Sequence, residues 1–300
     1  MISVFTPTYN RGNLLNRLYQ SLCKQKYKDF EWIIVDDGST DNTASVVELI
    51  QSKRQGDDFP IFYYIKENGG KHTAINVGVN FARGELFFIA DSDDFLPENS
   101  LQIVYERWSM IKHDESFLGI CGVDADLKGN VIGSGLPKEY IDCHAWEIST
   151  IYNVTGDLKE VFRTEVLRQY PFPEIKGEKF CPEVLVWFRM ARKYKMRFFN
   201  RIIYIADYQN TGITSAITRQ RMNSPISSML TYSELVNYPI PYKDKLRNAI
   251  NYWRFRFCLT TAHKESALLQ KIDTPKISMR WSLLAPIGFL MHIKDKKIYK

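Results

Sequence analysis

No apolar run in this 300-residue chain is long enough to cross a bilayer. The longest, Trp281–Ile293, covers 13 residues and is interrupted by Pro286 and His292, whereas a spanning helix needs about 20. Met1–Thr6 has neither a basic start nor a long apolar stretch, so no secretory signal peptide is expected. Cysteine is sparse: Cys23, Cys121, Cys143, Cys181 and Cys258 are odd in number and form no CxxC pair. That excludes a zinc ribbon or a dithiol redox site and leaves reduced thiols in the cytoplasm as the expectation. The five histidines show no ligand spacing. A GxxxxGKS/T loop is absent, and no GxGxxG follows the first apolar segment. Both the P-loop and the dinucleotide fingerprint are therefore excluded.

What is present belongs to an ordinary globular protein: 45% hydrophobic and 25% charged residues. A chain of this size buries enough surface to need no disulfide or structural metal. The net charge of +6 and pI near 8.9 suit an anionic partner, such as a phosphate-bearing substrate or an acidic membrane surface. The charge is too mild and scattered for nucleic acid.

Strand and helix patterns alternate four times in the first hundred residues. Ile2–Phe5, Glu31–Val35, Ile61–Ile65 and Leu86–Ala90 are β-like. Between them, Leu14, Leu15, Leu18 and Leu22 recur at helical spacing. A second helix is capped by Thr40 or Asp41 and runs to about residue 54, and a third covers Thr73–Ala82. This alternation predicts an α/β fold, a mainly parallel sheet flanked by helices. Ligands in such sheets sit beyond the strands' carboxyl ends. Pro7–Asn10, Asp36–Ser39, Asn68–Lys71 and Asp91–Asp94 are therefore expected to share one cleft.

After about residue 115 the alternation weakens. Phe117–Val123 and Asn130–Ile132 read as strands around a Lys128–Gly129–Asn130 turn, and Lys138–Asp157 as a loop-rich region over the cleft. Glu183–Tyr194 reads as a helix and Arg197–Ile205 as a strand. Helices are expected over Met222–Tyr238 and Lys243–His263. The tail, Ser278–Lys300, joins apolar residues to a lysine-rich end. It fits a docked helix with a solvated end, or an amphipathic anchor on an anionic membrane.

Three segments carry chemistry. An apolar strand ending in Asp91-Ser92-Asp93-Asp94 gathers three carboxylates within four residues. Such crowding calls for a compensating cation, and Mg2+ or Mn2+ commonly bridges carboxylates to substrate phosphates. The competing reading is a solvated turn before a helix. Asp36 and Asp37, again after an apolar strand, can accept hydrogen bonds from a nucleobase or ribose; Thr40 and Asp41 act as caps. In Asn68-Gly69-Gly70-Lys71, the glycines let backbone amides approach a ligand and Lys71 can neutralise phosphate.

Val4-Phe5-Thr6-Pro7-Thr8-Tyr9-Asn10-Arg11, Ile34-Val35-Asp36-Asp37-Gly38-Ser39-Thr40-Asp41, Asn68-Gly69-Gly70 with Ala74–Gly78, and Asp91-Ser92-Asp93-Asp94 occur in an order and spacing that resembles the family-two inverting glycosyltransferases. The resemblance covers roughly the first 100 residues. It implies a GT-A, Rossmann-like fold: a GT-A domain over 1–215, split into a nucleotide-sugar half (1–115) and an acceptor half (116–215), then a helical extension (216–300). It implies that Pro7, Thr8 and Tyr9 line the base pocket, that Asp36, with Asp37 beside it, meets the base, and that Lys71 lies near phosphates or base. Asp91, followed by Ser92, would touch ribose or donor sugar, and Asp93 would ligate the Mn2+ or Mg2+ ion.

An inverting transfer needs a base on the acceptor hydroxyl. Family members place a carboxylate at the start of a helix after the acceptor loop, which points to Glu183, with Glu178 second; Glu183 as a mere helix-dipole partner is the alternative. The QxxRW motif of processive synthases is absent: Tyr208-Gln209-Asn210-Thr211-Gly212 stands there, without the frequent histidine. The expected activity is therefore transfer of one monosaccharide, from a nucleotide diphosphate sugar (UDP-linked in first choice) to a saccharide or lipid-linked acceptor, in bacterial surface polysaccharide synthesis. A nucleotidyltransferase and a binding module without catalysis are the alternatives.

Overall fold

The strands sort into a single sheet whose buried positions explain their composition. The computed structural model describes residues 1–53, 59–207 and 216–299. Among these residues, β1 (Ile2–Thr8), β2 (Phe30–Asp36), β3 (Ile61–Ile65) and β4 (Leu86–Ile89) alternate with α1 (Gly12–Cys23), α2 (Thr43–Ser52) and α3 (Lys71–Phe81). The elements α4 (Ser100–Ser109), β5 (Phe117–Ala125), β6 (Tyr140–Cys143), α5 (Glu147–Thr150), β7 (Leu158–Arg163) and α6 (Thr164–Arg168) follow. Then come α7 (Val184–Ala191), β8 (Lys195–Ile205), α8 (Ile217–Asn223), α9 (Pro225–Leu235), α10 (Tyr242–Arg256), α11 (Thr261–Leu269) and α12 (Ala285–Ile298), the last preceded by a 3-10 segment, Met279–Leu284.

The chain divides into two units: Met1–Asn68, Ala74–Pro171 and Arg189–Gln209 in the first; Gly69–Thr73, Phe172–Phe188 and Asn210–Lys300 in the second. In the first unit the strand order is β3-β2-β1-β4-β7-β5-β8-β6. β1 pairs in parallel with β2 and β4, β2 with β3, and β5 with β8. β7 is antiparallel to both β4 and β5, and β6 to β8. The expected mainly parallel sheet therefore has two reversed strands, β6 and β7.

Every residue of β2 is buried, as expected of a strand covered on both faces. Leu15, Leu18 and Leu22 of α1 and Leu101, Val104 and Trp108 of α4 repeat at three or four residues and enter the core with Trp32 and Ile34. A Cβ at Gly12 would lie 2.8 Å from Thr43 Cα, so the starts of α1 and α2 meet backbone to backbone.

Several expectations are revised. The expected loop over Lys138–Asp157 contains β6, which ends the sheet opposite β3. Asn130–Ile132 contributes only an isolated bridge between Val131 and Ala125. The helix expected over Met222–Tyr238 breaks at Ser224, and Pro225 begins α9, a position where its missing N–H costs nothing. That expected over Lys243–His263 ends at Arg256; Thr260 and His263 then form a reciprocal capping box that starts α11. The expected helix end near residue 54 lies outside the described residues.

In the second unit, one small core joins Ile175, Ile226 and Ala267, and another Val236, Ala249 and Trp281.

Candidate active site

The carboxyl ends of β2, β1 and β4 lie side by side, and their loops are tied together by polar bonds. Asp37 N–H donates to Thr8 O at 2.8 Å. Asn10, with φ of 52°, accepts at Oδ1 from Thr40 N–H (2.7 Å), while its own N–H donates to Ser39 Oγ (2.8 Å). Asn68 Nδ2 donates to Asp37 O at 2.8 Å. Three of the four expected segments, with Asn68 of the fourth, thus meet at one strand edge. Gly69–Lys71 belong to the second unit.

Asp36 is 2% exposed, and both its oxygens are used: Ser39 N–H donates to Oδ1 (2.7 Å) and Tyr63 Oη to Oδ2 (2.6 Å). Asp37 takes Lys66 Nζ at 2.7 Å and Asn68 Nδ2 at 3.2 Å. The pair fixes the loop. The cap of α2 is Asn42 by position, yet the Asp41 carboxylate accepts the Thr43 N–H at 3.0 Å. Thr40 is engaged with Asn10 instead. Pro7 is half-buried, Tyr9 is exposed, and Thr8 Oγ1 is buried with no hydrogen-bond partner among the described residues. A buried hydroxyl in this position can serve a water or a polar ligand.

After β4, each residue of the acid loop has a distinct setting. Asp91 N–H donates to Tyr204 Oη at 2.7 Å. Ser92 is buried. The Asp93 carboxylate takes Arg11 Nη1 at 2.6 Å, and its carbonyl accepts from Arg17. Asp94 Oδ1 accepts the Asp207 N–H at 2.8 Å, and the Asp207 carboxylate pairs with Arg17 at 2.7 Å. Burial, then the charge of Asp91, push the Asp94 carboxyl up to about 6. Tyr204 is also hydrogen-bonded to the Asp94 side chain, and burial with the nearby acids raises its hydroxyl well above the ordinary value. Lys159 Nζ lies 3.6 Å from the Tyr204 ring centroid and opposes the acids' charge. Asp124, which pairs with Tyr204 across β5 and β8, is pushed up to about 7, chiefly by burial.

No group of three or more His, Cys, Asp or Glu residues arranged to hold a metal exists among the described residues. The acid loop offers carboxylates one at a time, with Arg11 placing a positive charge on Asp93. This donor set fits Mg2+ or Mn2+, which bind through one or two carboxylates and complete their shell with phosphate and water.

In the second unit, Lys71 Nζ and Glu183 Oε1 are 2.9 Å apart, joining two residues chosen on separate grounds. Glu183 immediately precedes α7 and is about a third exposed. Glu178 holds the fold together instead. Its buried carboxylate accepts from Ile226 N–H (2.6 Å), Ser227 N–H (2.8 Å) and Ser227 Oγ (2.6 Å) at the start of α9. It satisfies amide groups that a helix N-terminus leaves open. Gly70 has φ of 95°, and a Cβ there would fall 1.9 Å from Lys179 O. Close packing by its own chain accounts for this glycine without a ligand. The Tyr208–Gly212 stretch lies outside the described residues.

Sequence reading overlooked Arg17, Tyr204, Asp207 and Asp124. Their partners are 76 to 190 residues away for Arg17 and 113 for Tyr204 and Asp207, and no local pattern announces such pairs.

Residues 3–128 match the model of glycosyl transferase family 2. The chain is 30% identical over 203 residues to the GalNAc(5)-diNAcBac-PP-undecaprenol beta-1,3-glucosyltransferase of Campylobacter jejuni, covering 64% of this chain and 60% of that protein. S. aureus TarS 1–349 in complex with UDP-GlcNAc superposes with a TM-score of 0.60 at 20% identity, covering 96% of this chain and 79% of that one. The mannosyltransferase PcManGT from Pyrobaculum calidifontis, in complex with GDP-Man and Mn2+, gives a TM-score of 0.58 at 16% identity, covering 98% and 87%. The chain spans 25% to 60% of the length of three relatives it matches in sequence. With its motif loops gathered at the carboxyl ends of β1, β2 and β4, the chain has the GT-A fold, and its residues 3–128 match the glycosyl transferase family 2 model.

Proposed function

We propose that the chain is an inverting, metal-dependent glycosyltransferase. It moves one monosaccharide from a nucleotide diphosphate sugar, UDP-linked in first choice, to a hydroxyl of a saccharide or lipid-linked acceptor. The observation that carries this reading is the meeting of the Thr8, Asp37 and Asn10 loops with the Arg11–Asp93 pair at one strand edge. The UDP-GlcNAc complex of TarS and the lipid-linked acceptor in the Campylobacter enzyme's name support the choice of donor and acceptor class. The latter also supports a role in bacterial surface polysaccharide synthesis. Five free thiols suit the cytoplasm. Residues 1–115 serve the donor, 116–215 the acceptor, and 216–300 form an extension.

Pro7, Thr8 and Tyr9 line the base pocket, where the buried Thr8 Oγ1 has no hydrogen-bond partner among the described residues. Asp36 and Asp37 hold the base and ribose side, Asp91 and Ser92 the sugar, and Lys71 the phosphates. Asp93 holds Mg2+ or Mn2+, a choice supported by the Mn2+ in PcManGT. When bound, the ion supplies Lewis-acid stabilisation to the leaving diphosphate. Glu183 takes the proton from the acceptor hydroxyl, its carboxylate oriented in the resting chain by Lys71.

A panel of nucleotide-sugars, screened with and without Mn2+ for transfer and hydrolysis, tests the reading. Turnover of at least one donor is expected, lost in Asp93→Ala. Glu183→Gln should keep nucleotide affinity while turnover falls by about a hundredfold or more. Full turnover in Asp93→Ala would sink the metal assignment, and full turnover in Glu183→Gln the base.

A further inference from the structure

Helix α12 is seated on α10 by its smallest and most polar residues. Gly288, His292 and Asp295 are its buried positions. A Cβ at Gly288 would lie 2.6 Å from Trp253 Cβ and 2.8 Å from Arg254 N. His292 Nδ1 lies 3.3 Å from Cys258 Sγ, and the Asp295 carboxylate takes Arg254 Nε and Nη2 at 2.5 and 2.7 Å. The usual arrangement of a surface helix, apolar residues inward and polar ones outward, is reversed here.

The large apolar residues face outward. Met279 is 87% exposed, Leu283 85% and Leu290 69%, and Ile287 and Ile293 are exposed as well. Exposed Phe289 packs edge-on against exposed Phe257, centroids 5.1 Å apart, which carries the apolar surface onto the end of α10. Single exposed apolar side chains are ordinary, but a contiguous run of them marks an interaction surface.

Charge selects the occupant. Over residues 278–299 the single acid is Asp295, buried against Arg254. The exposed charges there, Arg280, Lys294, Lys296 and Lys297, are all cationic. Apolar residues predominate in the 3-10 segment, which also carries Arg280, and in the first turns of α12, and lysines in its last turn. At 14 residues, α12 is about 21 Å long, and no helix among the described residues is long and apolar enough to span a membrane.

We infer that residues 279–298 form a docking surface for an anionic lipid bilayer. Leu283, Ile287, Leu290 and Phe289 enter the acyl boundary, and the lysines stay at headgroup level with their stems along it. This surface holds whether or not the proposed transfer activity does.

The test is co-sedimentation of the full chain with phosphatidylcholine vesicles, with and without phosphatidylglycerol. Three exposed lysines predict about a hundredfold preference for the anionic vesicles, reduced by added salt. Leu283→Ser with Leu290→Ser should weaken binding by at least about tenfold. Lys294→Ala, Lys296→Ala and Lys297→Ala together should remove the preference. Both variants alter exposed side chains, so their melting temperatures should match the parent. Absence of binding to anionic vesicles overturns the inference. So does a self-associated chain, in analytical ultracentrifugation without lipid, that the two serine substitutions dissociate.

Discussion

The guanidinium of Arg11 rests 2.6 Å from the carboxylate of Asp93, 82 residues away in sequence. A cation already stands on the residue chosen to hold a metal. Removing Arg11 takes away a competitor for that carboxylate and also a positive charge beside the expected diphosphate. Arg11→Ala should bind Mn2+ alone about tenfold more tightly, as expected from losing a charged hydrogen bond of ~1.5 kcal/mol. It should bind a nucleoside diphosphate less tightly at fixed Mn2+. Titration calorimetry of each ligand separately checks both signs; unchanged Mn2+ affinity would mean that the pair does not compete with the ion.

Tyr204 is a positioning residue. Its hydroxyl holds the backbone of Asp91 and the side chain of Asp94. Tyr204→Phe keeps the ring under Lys159 and removes only those bonds. A stability loss of about 1–2 kcal/mol is expected, with a fall of roughly tenfold in kcat/KM carried mainly by donor KM. Melting curves and steady-state kinetics on the same preparation separate the two effects. Loss of stability with no change in KM would leave Tyr204 a purely structural residue.

The two glutamates before α7 should part company on truncation. Glu178→Ala strands three donors at the start of α9 and should cost ~2–4 kcal/mol of stability. Glu183→Ala breaks a part-exposed pair with Lys71 and should cost no more than about 1 kcal/mol, while turnover collapses. Denaturant unfolding of both variants makes the comparison.

Asp124 predicts a pH dependence. Its carboxyl is raised from 3.8 to about 7 in the folded chain, chiefly by burial. The folded state therefore keeps a proton that the unfolded state has lost. Its contribution is full below about pH 4 and disappears as pH rises through about 7. Asp124→Asn removes this dependence, so the variant should gain on the parent by roughly 2–4 kcal/mol between pH 4.5 and 7.5. Parallel unfolding curves at those two pH values measure it; an equal pH response in both proteins would exclude Asp124 as the source.

The N-terminal strands were legible because burial on both faces leaves an apolar imprint, as in Trp32–Val35, and because turn and acid residues punctuate each end. β7 left no such imprint. Lys159 and Glu160 interrupt it, and it joins the sheet through pairing with β4 and β5 rather than through a local hairpin. Glu183 stood ahead of Glu178 in sequence because it lies at the expected first turn, but both precede α7. Only the distant start of α9 tells them apart. The lysine-rich tail was ambiguous for a related reason: whether its apolar residues face inward depends on what α10 offers, and α10 offers Arg254 and a tight seat for Gly288.

The family model stops at residue 128, but the sheet does not. β7 fills the place between β4 and β5, and β8 brings Tyr204 and Asp207 to the acid loop. As the ribosome releases the chain, the first four strands emerge with an unpaired edge on β4. Arg11 and Arg17 reach Asp93 from within these strands, whereas the Asp94 carboxylate finds its backbone partner only when residue 207 arrives. A fragment cut at the motif boundary would therefore carry every recognisable motif while lacking Tyr204 and Asp207. The last contacts of the acid loop close over 113 residues, and closure over such a distance is slow.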